Sequence, residues 1–100
     1  MAIKVLIKRQ YKPESFGQVS ALLNRARYDA MGMQGYISSE TLTDLYEPGQ
    51  VVVISMWQSV EDWQKWIDSP KRSEFAAEMR HLMTGPEQIE IYALGLKMEQ

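Results

Sequence analysis

Three tryptophans, Trp57, Trp63 and Trp66, stand close together in the chain, and flat aromatic walls of that kind suit a planar ligand. Tryptophan also buries a large apolar area, so core packing accounts for them too. Helical spacing puts Trp63 at the centre of an apolar face, in the core, and Trp66 on its flank, where it could border a pocket. Tyr28, Tyr36 and Tyr92 carry hydroxyls able to donate to an oxygen of a bound molecule, although interior tyrosines commonly serve only as packing. Arg27 and Arg80 could clamp an anion, but arginines on helix faces are usually solvated. Met31, Met33, Met79 and Met83 would line a pocket adaptably or simply fill gaps. His81 is the only histidine and there is no cysteine, so triad chemistry would depend on His81 alone. At about 100° per residue, His81 points away from the face shared by Phe75, Met79 and Leu82, toward solvent. Glu61, Asp62, Glu87 and Glu90 lack histidine partners at ligand spacing; helix-cap and surface roles are expected of them, and no metal site.

The elements that must position these residues follow from periodicity and punctuation. Ile3, Val5 and Ile7 alternate with Lys4, Leu6 and Lys8 as a first strand. Lys12-Pro13-Glu14 ends it and opens a helix whose stripe is Phe16, Val19, Leu23, Ala26 and Ala30. Gly32 and Gly35 end that helix by relieving a left-handed cap. Tyr36 to Leu42 is a second strand, Asp44 to Gln50 a turn, and Val51 to Trp57 a third strand. Ser59 is an N-cap, with Asp62 three residues on, for a helix whose face is Val60, Trp63 and Ile67. Ser69-Pro70 breaks that helix, another follows from about Lys71 to Met83, and Ile89 to Leu96 is the last strand. The order predicts an α+β, ferredoxin-like split βαβ fold with a four-stranded antiparallel sheet, in a single domain spanning 1–100. Val51 to Ile54 is apolar on both faces while helices cover only one, so a second copy pressing sheet against sheet is expected.

Composition narrows the class. One hundred residues with 45% hydrophobic and 24% charged side chains make one ordinary globular domain. Net charge is −2 and the basic residues are scattered among acids, which argues against nucleic acid. The start, MAIKVLIKRQ, lacks the apolar run of a signal peptide, and the longest apolar run is too short to span a bilayer. A cytoplasmic protein without a membrane partner is the expectation.

The segments GYISSETL and VVVISMWQSVEDWQKWIDSPKR resemble the antibiotic biosynthesis monooxygenase (ABM) family of the dimeric α+β barrel superfamily. The most specific parts are Gly35-Tyr36, Trp57-x-Ser59, and Trp66 followed by Ser69-Pro70-x-Arg72. The resemblance implies a homodimer joined through its sheet faces, with a pocket between sheet and helices in each subunit. It also implies cofactor-independent oxygenation of polycyclic phenols or quinols. A related branch degrades haem with an asparagine, a tryptophan and a histidine. Trp66 matches the tryptophan, but the asparagine position falls on or near Ile7 and the histidine position close to Met79. Haem degradation is therefore not expected, and no cofactor is. The resemblance makes Trp66 a pocket wall, Tyr36 and Tyr92 polar anchors, and Ile7 and Met79 inward positions. The expected function is a cofactor-independent monooxygenase acting on a flat aromatic or quinol-like small molecule. The alternative is a non-catalytic binding or stress-response domain on the same fold, which the apolar Ile7 and Met79 favour.

Overall fold

The computed structural model describes residues 1–96. Alternation along the first strand, β1 (Ile3–Gln10), buries Ile3, Val5, Ile7 and Arg9 on one face and leaves Lys4 exposed on the other. Pro13–Ser15 form a short 3₁₀ turn, where proline has no backbone N–H to leave unbonded, and α1 follows (Phe16–Met31). Val19 and Ala30 of the expected stripe are buried, and Phe16, Leu23 and Ala26 pack against the core. The hairpin of β2 (Tyr36–Thr43) and β3 (Gln50–Trp57) comes next. Its turn is held by the Asp44 carboxylate, which accepts from the backbone N–H groups of Tyr46 and Glu47. Two helices, α2 (Val60–Ile67) and α3 (Pro70–Arg80), lead to β4 (Gln88–Ala93).

The strands lie in the order β2-β3-β1-β4, every neighbouring pair antiparallel. Each crossover thus skips one strand, β3 between β1 and β2, β1 between β3 and β4, which is the ferredoxin-like split βαβ arrangement expected. Register places Ile3 opposite Trp57, Ile7 opposite Val53 and Arg9 opposite Val51, so these side chains share the helix-covered face. Two core clusters fill that face. One gathers Ile3, Val5, Ile7, Trp57, Trp63 and Trp66; the other gathers Tyr11, Val19, Val51, Phe75 and Met79. At about 25 cal/mol per Å², each tryptophan contributes roughly 4–6 kcal/mol of gross burial. The opposite sheet face carries half-buried Val52, Ile54 and Met56, with Leu42 and Tyr92 exposed. No helix among the described residues is long and apolar enough to cross a membrane.

Capping explains the α2–α3 corner. The Ser59 hydroxyl accepts from the Asp62 N–H, as its spacing predicts, and Ser69 caps α3 by accepting from Arg72 N–H. Ser69-Pro70 therefore ends one helix and starts the next, with Pro70 in the first turn. Three expectations are corrected. Gly32 keeps an ordinary right-handed conformation, and only Gly35, at φ +86°, takes the left-handed one. The third helix stops at Arg80, short of Met83, because Met83 bridges to Tyr11 and Thr84 N–H donates to the Gln10 carbonyl. The last strand stops at Ala93, short of Leu96, close to the left-handed Gly95 at φ +72°.

Gly35 is the tightest of these points: a Cβ there would run into the Asp62 side chain. Positive φ alone costs a side chain about 1–2 kcal/mol. Gly35→Ala should therefore lower stability by more than about 2 kcal/mol, read as a fall in urea midpoint with an unchanged slope.

Candidate functional site

Between the sheet and the helices lies a small space of about 90 Å³. Trp57 from β3, Trp63 and Trp66 from α2 and Phe75 from α3 form its aromatic walls, and Ile7 from β1 is part of the floor. Polar groups converge on it as well: Ser39 and Thr41 from β2, Ser55 from β3 and Asn24 from α1. Two of these are held in place. The Ser55 hydroxyl accepts from Trp57 Nε1 at 3.1 Å, and Ser39 shares a 2.8 Å hydrogen bond with the Tyr36 hydroxyl. Tyr36 itself packs edge-on against Trp57, the ring centroids 5.5 Å apart.

Two further spaces adjoin it. Toward the start of α1, a cleft of about 240 Å³ shares Leu23, Asn24 and Thr41 with it. Beyond α3, a larger space of about 480 Å³ shares Arg9, Arg72 and Phe75 with it, and is further bounded by Met79, Arg80 and Glu87.

Arg9 and Arg72 are the unexpected part of this site. They are only 4% and 7% exposed, and their guanidinium carbons stand over the Phe75 ring at 5.4 and 5.2 Å. Arg9 donates from Nε to the Glu87 carboxylate at 2.8 Å. No carboxylate among the described residues forms such a pair with Arg72. Burial pushes the Arg72 pKa below its ordinary value, and the neighbouring Arg9 charge pushes the same way, opposed by Glu87. Contact with an aromatic ring stabilises a cation by roughly 0.5–2 kcal/mol. Burying a charge costs several kcal/mol, so Phe75 alone does not offset the cost at Arg72.

The five residues singled out from sequence are placed as follows. Trp66 and Ile7 line the 90 Å³ space. Tyr36 stands just behind it and reaches it through Ser39. Met79 is fully buried in the second core cluster and faces the 480 Å³ space instead. Tyr92 pairs with Lys4 on the outward side of the sheet, 53% exposed, and so does not join the others. His81 is exposed at the end of α3, as its helical phase predicts. Asp62, expected at the surface, is buried against Gly35 because α2 packs its first turn onto the start of β2.

Arg9 and Arg72 were legible by spacing. Lys8 and Arg9 are consecutive in a strand, so one of them must face inward. Arg72, Phe75 and Met79 recur at three and four residues, which puts the arginine on the buried face of α3.

With this geometry in view, comparison with known proteins is informative. Residues 2–78 match the antibiotic biosynthesis monooxygenase family. The chain belongs to that family. Solved structures share the fold. A conserved protein from Methanosarcina mazei superposes with a TM-score of 0.86 at 22% identity, covering 92% of this chain and 91% of that one. Rv0793 from Mycobacterium tuberculosis gives 0.84 at 17% identity, over 99% and 100% of the two chains. SnoaB, a cofactor-independent oxygenase from Streptomyces nogalater, gives 0.81 at 13% identity, over 99% and 98%. No curated protein matches in sequence. At these identities the neighbours speak for fold alone.

Tyr11, next inward residue after Arg9, gives a measurable handle on this region. Its hydroxyl is buried without a hydrogen-bond partner. Burial raises its pKa above 10, with the Arg9 charge opposing the shift. A raised folded pKa means that the associated stability is intact below pH 10 and is lost as pH climbs through 10 toward the folded value. Relative to wild type, Tyr11→Phe should remove that alkaline loss, seen in urea unfolding at about pH 7 and about pH 10.5. At neutral pH the variant should be as stable as wild type or up to about 1 kcal/mol more stable, because an unpartnered hydroxyl is gone.

Proposed function

We propose that this member of the family is a cytoplasmic, dimeric, cofactor-independent monooxygenase acting on a flat aromatic or quinol-like small molecule. The observation that carries the proposal is the aromatic chamber bounded by Trp66, Trp63, Trp57 and Phe75, on which hydroxyls and guanidinium groups converge. Flat walls orient a planar substrate, and exclusion of water keeps its anion reactive.

The electrons come from the substrate. An activated ring carbon bearing two hydrogens loses a proton, and the resulting carbanion adds to O₂ to give a peroxide. Protonation of the peroxide and loss of water leave a ketone, with one oxygen atom retained and the other released in that water. Trp66 serves as a wall, Ile7 as floor, and Tyr36 orients Ser39. Apolar Leu42, Val52, Ile54 and Met56 on the outward sheet face support a second copy as the covering partner, which would also bury Tyr92.

One observation favours the non-catalytic reading. The chamber's 90 Å³ is below the roughly 150 Å³ that accepts a benzene ring, so a polycycle must extend into the α1–β2 cleft.

Oxygen uptake with reduced naphthoquinols and anthrones, run beside Trp66→Phe, separates the two. Uptake above the spontaneous rate, falling at least several-fold in the variant, is expected of the oxygenase. Absence of enhancement across the panel supports the binding domain.

A further inference from the structure

Charge counting at the wall between the aromatic chamber and the 480 Å³ space leaves a cation without a counterion. Arg9 and Arg72 contribute two positive charges beside Phe75, and Glu87 one negative charge, already bonded to Arg9. The remainder is a single positive charge at Arg72, nine-tenths buried and lining the aromatic chamber. Tryptophan walls can accept the body of a planar molecule, but they leave that charge unbalanced.

We infer that Arg72 is a substrate-binding residue that receives the carboxylate of an aromatic acid whose ring system lies against Trp63 and Trp66. The inference rests on the oxygenase reading above and adds the acid group to its substrate. A carboxylate fits for two reasons. It is ionised before it arrives at neutral pH, whereas a simple phenol arrives neutral and leaves the site's charge as it was. Its two oxygens also match the planar fork of a guanidinium, which a point-like anion does not. Arg9 is the weaker candidate, because its charge is already matched by Glu87, to which its Nε donates. The 240 Å³ cleft beside α1 provides the room for rings that the chamber itself lacks.

The inference is tested with three probes of one size, 2-naphthoate, 2-naphthamide and 2-naphthol, titrated into the intact protein while following tryptophan fluorescence. Wild type should bind naphthoate at least tenfold more tightly than the amide or the phenol. In Arg72→Gln that preference should vanish while amide affinity stays within about twofold, and Arg72→Lys should retain part of it. The wild-type comparison stands even if the glutamine variant does not fold. Equal affinity for the three probes overturns the carboxylate inference and leaves the aromatic pocket intact. A naphthol affinity matching naphthoate also overturns it, since the anion would then be a phenolate. Binding of none of the three overturns the inference and the aromatic pocket together.

Discussion

A strand shows every second side chain to the same side, and β1 sits at the centre of this sheet with helices over one face. That alternation carries Ile3, Val5 and Ile7 into a dry core and then, without changing sides, carries Arg9 and Tyr11 in after them. The face therefore changes character along its length. Its first half is apolar and packs tryptophans; its second half holds a charge that must be matched. Glu87 matches it from the segment before β4, and Phe75 of α3 leans on the same guanidinium. Both α3 and the approach to β4 thus meet the arginine at that position of a central strand.

The aromatic half owes its geometry to the α2–α3 corner. Two serine caps set where α2 begins and α3 begins, and the left-handed Gly35 lets the buried Asp62 come down onto the start of β2. The caps and Gly35 hold both ends of α2, and beneath Trp63 and Trp66 the Tyr36 and Trp57 rings pack edge to face. The only histidine lies exposed at the end of α3, away from these rings.

Much of this was legible in the sequence where a local pattern has one physical solution. Alternation in β1, the Ser59 cap and the Ser69-Pro70 break each gave the observed element, while Pro13 falls in the 3₁₀ turn just before α1. Trp66 and Ile7 came to line one space because strand and helix phase fix their sides. Phase is equally informative for Arg9 and Arg72, yet a charged side chain ordinarily faces water, and nothing local in MAIKVLIKRQ marks Arg9 as the exception among its basic residues. Met79 was assigned the right side of α3, but its depth along the helix axis takes it past the tryptophans toward the larger space, and periodicity carries no information on that coordinate. Tyr92 shows the same limit in a strand, since alternation alone does not say which of its two faces the helices cover. The ends of α3 and β4 depend on long-range pairing of Met83 and Thr84 with β1, which no local window contains.

The Phe75 ring and its two guanidinium groups form a partition with rooms of about 90 and 480 Å³ on either side. Nothing in the sheet contributes the ring; it belongs to a single turn of α3. Shortening that side chain would join the rooms, at the cost of a core contact to Tyr11, Val51 and Met79. The size of the cavity is thus set largely at one helical position, apart from the strand order that frames it.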